Sequence, residues 1–191
     1  MKLLKAWSGA GAALILLLTV TAPLLRPLTP PARAAIDTIY FSQAGGELDR
    51  VSLDGSDLKQ VFGGLSRPQH IAVDPRSKLV YWTNFGNPGS IMRGSFDGSG
   101  QQVILSGLVE PRGIALDLVH DKIYWTSASP VLGVLARCNL HGSAPDTVAT
   151  DLGFAEDVAL DPVAQQAYWV ENDASLSDHN SIWRVDLNGK G

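Results

Sequence analysis

Short apolar bursts separated by polar turns recur along this chain, and they recur in register. An aromatic pair following apolar residues appears as Tyr40-Phe41, Tyr81-Trp82, Tyr124-Trp125 and Tyr168-Trp169, with the tyrosines 41, 43 and 44 residues apart. A second block reads Leu48-x-Arg50, Ile91-x-Arg93, Leu135-x-Arg137 and Ile182-x-Arg184. Each arginine is followed five residues on by a glycine: Gly55, Gly98, Gly142 and Gly189. A third block reads Ile71-Ala-Val-Asp74, Ile114-Ala-Leu-Asp117 and Val158-Ala-Leu-Asp161.

The distances between blocks carry more information than the blocks. From the glycine to the third-block aspartate is 19 residues in all three cases, and from that aspartate to the next tyrosine is 7. Only the step from tyrosine to arginine varies, as 10, 12, 13 and 16 residues. Length change confined to one connection per repeat is the mark of stacked structural repeats with a rigid frame and one adaptable loop.

Aromatic and β-branched residues favour a pleated, half-buried surface, so each block predicts a strand. Leu53-Asp-Gly-Ser56, Phe96-Asp-Gly-Ser99, Leu140-His-Gly-Ser143 and Leu187-Asn-Gly-Lys190 predict hairpin turns, because glycine reaches positive φ without steric cost. A further apolar run follows each turn, as in Val61-Phe62 and Val103–Leu105. Four short strands per 40–45 residues predict an all-β fold, a β-propeller of four-stranded blades.

The repeats resemble the YWTD repeats (class B repeats) of the low-density lipoprotein receptor family. Tyr-Trp-Thr-Asn at 81–84, Tyr-Trp-Thr-Ser at 124–127, the downstream Arg-x-x-x-Asp-Gly-Ser and Pro-x-Gly-Ile-Ala-Leu-Asp at 111–117 carry the resemblance, which covers residues 36–191. It implies a six-bladed propeller, for which this period requires about 260 residues. About three and a half YWTD-type blades are present, a partial six-bladed propeller over residues 35–191. The Tyr40 repeat lacks an innermost strand before it, and the Trp183 repeat an outermost strand after it. The expectation is a fragment, or a chain that needs a partner or a second copy to cover its open blade faces. The fourth motif position departs from the family's Asp: it is Gln43, Asn84, Ser127 or Glu171.

The N-terminus changes the picture of where the protein works. Lys2 and Lys5 precede a stretch without charge from Ala6 to Leu25, and Ala32-Arg33-Ala34 offers a small-residue cleavage site. This layout predicts a secretory signal peptide over residues 1–34 and a secreted, periplasmic or cell-surface location, with a retained membrane anchor as the alternative. Whole, the chain carries net charge −4; residues 35–191 hold 11 basic and 19 acidic side chains, net −8. So acidic a domain is a poor partner for nucleic acid. Cys138 is the only cysteine, which rules out an intrachain disulfide and suits a small buried side chain.

Candidate chemistry divides into what the frame explains and what it leaves over. Trp82, Trp125 and Trp169 recur once per repeat and are expected to pack between blades. The repeated arginines are expected to pair with acidic or carbonyl groups inside their own blades. Asp74, Asp117 and Asp161 are expected to accept hydrogen bonds at strand ends. No nucleotide, zinc-protease, EF-hand or nucleophile-elbow motif is present, so neither an enzyme nor a cofactor is expected. The non-repeating residues are the functional candidates. Innermost strands begin at Arg67-Pro-Gln69-His70, Glu110-Pro-Arg112 and Ala155-Glu156-Asp157, and three variable loops return to that face. Insertions gathered on one face mark a binding face. The candidate residues for a protein or peptide ligand are Gln69, His70, Arg112, Glu156, Asp157, Phe85, Asn87, Glu171, Asp173 and His179. The rivals are a calcium-dependent hydrolase of the gluconolactonase type, with Asn84, Glu156 and Asp157 gathered at the channel, and a non-functional fragment of a longer receptor-like protein.

Overall fold

The computed structural model describes residues 37–129, 133–172 and 180–188, in which every regular element is a β-strand. Sheet I holds β1 (Thr38–Gln43), β2 (Glu47–Ser52) and β3 (Lys59–Phe62). Sheet II holds β4 (Pro68–Asp74), β5 (Leu79–Asn84), β6 (Gly89–Ser95) and β7 (Gln102–Leu108). Sheet III holds β8 (Pro111–Asp117), β9 (Lys122–Ser127), β10 (Gly133–Asn139) and β11 (Asp146–Leu152). Sheet IV holds β12 (Phe154–Asp161), β13 (Gln166–Asn172) and β14 (Asn180–Asp186). Each sheet is an antiparallel meander in chain order, and the sheets stack face to face as propeller blades. The two end sheets have three strands each among the described residues, missing the strands that the repeat count leaves out.

Adjacency of tyrosine and tryptophan follows from the pleat. Successive side chains on a strand point to opposite faces, so each motif serves two interfaces. Trp82 packs back toward sheet I with Leu48, Phe62 and Leu65, while Tyr81 packs forward with Trp125 and Ile123 of sheet III. Tyr124 in turn joins Trp169 between sheets III and IV. The Phe62 ring lies 4.9 Å from the Trp82 ring and rests on Gly94, where a Cβ would come within 2.4 Å of Phe62 Cζ. The tryptophans are therefore interblade core.

Polar frame residues are consumed just as regularly. Asp74 Oδ1 accepts from the N–H groups of Arg76 and Ser77, Asp117 Oδ1 from Val119 and His120, and Asp161 Oδ1 from Val163 and Ala164. Each carboxylate thus closes the hairpin that follows the innermost strand. The arginines meet the expectation in part. Arg93 pairs with the Gln102 side-chain carbonyl and Arg137 with Asp146 within their own sheets, and each also reaches the following blade, Arg93 donating to Leu140 O (3.2 Å) and Arg137 to Leu187 O. A guanidinium has enough donors and reach to serve both.

The forward face of sheet IV stands uncovered by described residues. Ile182 is 77% exposed, whereas Leu48, Ile91 and Leu135 at the same repeat position are fully buried. Residues 1–34 and Gly189, read above as a leader and a turn, lie outside the described residues. Among the described residues no helix is long and apolar enough to cross a membrane.

Candidate ligand-binding face

Each innermost strand starts with a β-bulge. Pairing jumps from Pro68–Asn84 to Ile71–Trp82 in sheet II and from Pro111–Ser127 to Ile114–Trp125 in sheet III. In sheet IV it jumps from Ala155–Glu171 to Asp157–Val170. A bulge leaves backbone groups unpaired and re-aims side chains, here those around the channel mouth. The motif's third residue repairs the loss: Thr83 Oγ1 accepts from His70 N–H (3.2 Å), and Thr126 Oγ1 accepts from Gly113 N–H (2.9 Å). Thr83 Oγ1 also donates to Arg112 O (2.6 Å) in the next sheet, as Ser42 Oγ donates to Gln69 O (2.8 Å). Sequence reasoning missed these hydroxyls as supports of the mouth. In sheet IV the equivalent position is Val170, which has no hydroxyl.

The mouth residues meet across the sheets. Arg112 Nη1 donates to Glu156 Oε2 at 2.5 Å. His70, Gly113 and Asp157 occupy one position in three successive sheets. Gly113 has no side chain, and a Cβ there would lie 2.7 Å from Asp157 Cα. His70 Nε2 consequently reaches within 4.0 Å of Asp157 Oδ1, past the intervening sheet. Phe85, in the loop after β5, donates its N–H to Arg67 O (3.0 Å), which fixes that loop beside the start of β4. The guanidinium carbons of Arg67 and Arg112 sit 4.4 and 5.0 Å from the centroid of the Phe85 ring. His70 Nδ1 and Arg112 Nε are buried without hydrogen-bond partners. Gln69 is half-buried beside them, and Asn87 is exposed in the same loop as Phe85.

Other candidates fall elsewhere. The Glu171 carboxylate accepts from Trp169 Nε1 (2.8 Å) on the face toward sheet III. Asp173 and His179 lie outside the described residues. Asn84 is buried, and its Nδ2 donates to Ser90 Oγ (3.3 Å) and Met92 Sδ within sheet II, while its Oδ1 is buried without a partner among the described residues. The other fourth-position residues also have partners, Gln43 with Asp49 and Ser127 Oγ with Val109 O (2.5 Å). Among the described residues no three His, Cys, Asp or Glu side chains converge as a metal site.

Residues 78–118 match the low-density lipoprotein receptor repeat class B, from the hairpin before β5 to the end of β8. No curated protein matches the chain. Among solved structures it is similar to a nidogen/laminin complex, with TM-score 0.67 and 23% identity over 76% of this chain and 60% of that one. It is also similar to a putative TolB from Agrobacterium tumefaciens, with TM-score 0.68 and 15% identity over 81% of this chain and 59% of that one. A TolB from Acinetobacter baumannii aligns with TM-score 0.64 and 15% identity over 80% of this chain and 40% of that one. The chain thus spans 60% or less of each of these structures, and what it shares with them is the propeller fold.

Proposed function

We propose that this chain, a β-propeller carrying a low-density lipoprotein receptor class B repeat at residues 78–118, is an exported module that binds a protein or peptide ligand on the loop-rich face around its channel. One observation carries this reading. Side chains that repeat are used up by the frame, whereas those that differ between equivalent positions gather at the mouth. Gln69, Arg112 and Glu156 differ in charge at one such position, and His70, Gly113 and Asp157 at another. Only Gly113 is fixed by the packing, since a Cβ there would meet the Asp157 backbone; the other identities are not dictated by the repeat and are free for recognition. The similar nidogen structure is itself of a complex with another protein, laminin. Acidic net charge argues against nucleic acid as the ligand.

Selection of displayed random peptides on the product recovered from expression of the full chain tests the proposal. Binders should lose affinity for an Arg112→Ala variant and keep it for His141→Ala, in a turn at the opposite end of the sheets. An absence of binders, or binders indifferent to the mouth variant, would refute it. N-terminal sequencing of the same product should begin at Ala35. An intact N-terminus in the membrane fraction would favour the anchor.

A further inference from the structure

We infer that the ligand presents a carboxylate to the mouth, received by Arg67 and Arg112 against the face of Phe85. This rests on the mouth being the binding face, and it names the chemistry that the face selects. Two guanidiniums there have donors to spare. No carboxylate among the described residues lies within 4 Å of the Arg67 guanidinium, and no described acceptor takes its N–H groups. Arg112 spends Nη1 on Glu156 while its Nε is buried and unpartnered. A guanidinium has donors only, so the missing complement is an acceptor, and a carboxylate is the acceptor it matches in charge and fork geometry.

The frame does not require arginine at position 67. Its backbone is left-handed, φ 51°, and so is that of Glu110 at the same position in sheet III, φ 43°. The carbonyl of each accepts the N–H of the residue after the tyrosine motif, Phe85 in one case and Ala128 (3.1 Å) in the other. One conformation thus serves either charge, and the arginine is free to be a recognition residue. Phe85 holds both guanidiniums in place through its ring, which lowers the ordering cost of capturing a ligand. Glu110, Glu156 and Asp157 on the same rim repel a polyanion. An isolated carboxylate of a peptide is what the site accommodates, and a nucleic acid backbone is excluded.

The test uses peptides recovered in the display selection above, resynthesised in matched acid and amide forms, Asp or Glu against Asn or Gln. Mouth-binding peptides should carry an acidic residue, and the amide form should bind the unmodified chain about tenfold more weakly or worse, as expected for loss of a charge-assisted hydrogen bond. Arg67→Gln should erase the difference between the two forms, while Arg67→Lys retains part of it. Arg67 is exposed, so Arg67→Gln should leave the thermal unfolding midpoint unchanged. Peptides that need the mouth but bind equally as acid and amide would overturn the carboxylate assignment and leave the binding face standing. Failure to recover any mouth-dependent peptide would overturn both.

Discussion

Replacing Thr83 with valine keeps the shape of the side chain and removes its hydroxyl, which isolates the polar work done at this position. Thr83 is fully buried. Its Oγ1 accepts from His70 N–H at 3.2 Å and donates to Arg112 O at 2.6 Å, so one atom serves two sheets. The bulge at residues 69 and 70 prevents β5 from supplying a backbone partner for His70, so Thr83→Val strands both a donor and an acceptor. Each unmade buried hydrogen bond costs about 1–3 kcal/mol, and the pair together about 2–6 kcal/mol. For a domain of this size that is a fall of roughly 4–24 °C in unfolding temperature, at about 2–4 °C per kcal/mol. Circular dichroism melts at low protein concentration, with Thr83→Ser as the control that restores the hydroxyl, measure it. A Thr83→Val midpoint within about 2 °C of the parent, or a Thr83→Ser variant as damaged as Thr83→Val, would refute the reasoning. Affinity for a mouth-binding peptide should fall with Thr83→Val as well, because the Arg112 backbone loses its anchor.

Three further outcomes follow from the same geometry. Burial works against ionised Asp74, but hydrogen bonds from Ser77 and Arg76 outweigh it and hold its carboxyl below the ordinary value; its contribution to stability should therefore be complete above about pH 5 and be lost as pH falls below about 4, with Asp74→Asn flattening that part of the pH–stability profile measured by urea titration. Burial pushes the Cys138 thiol up to about 11, against the pull of Lys122, so a disulfide reagent at pH 8 should label it only after denaturation, and rapid labelling of native protein would contradict the packing. Ile182 and Val170 leave an apolar face exposed on sheet IV, so the chain expressed from residue 35 should self-associate by light scattering and Ile182→Lys should reduce the associated fraction; a monodisperse parent would count against a role for this face.

The frame was legible in the sequence because it is written four times. Fixed spacings from glycine to aspartate to tyrosine located the strands and turns, and among the described residues the end sheets have the strands that the repeat count gives them. Local pairings were readable too, since Asp74, Asp117 and Asp161 cap hairpins only two or three residues away. Contacts between sheets were not. Arg93 reaches Leu140 O 47 residues on, and Thr83 reaches Arg112 O 29 residues on, separations that a repeat period fixes only once the direction of stacking is known. Hence the arginines were assigned to their own blades, and the motif's hydroxyl was passed over. At the mouth, the sequence placed Arg112, Glu156, His70 and Asp157 on one face because propeller topology dictates it. It left Arg67 and Phe85 unconnected, because their stack depends on a loop conformation that occurs once.

Among the described residues the side-chain ties between sheets run one way. Ser42, Thr83, Arg93 and Arg137 lie earlier in the chain and donate to carbonyls of Gln69, Arg112, Leu140 and Leu187, which lie later. On a ribosome, each sheet therefore emerges with its donors waiting for acceptors not yet synthesised. Separations of 27 to 50 residues mean that each is completed when about one more repeat has been translated. Growth of the folded part is thus vectorial, each new sheet closing the polar groups of the one before it. Pausing of translation within a repeat leaves the last finished sheet with open donors and a bare apolar face, the state most prone to capture by a chaperone.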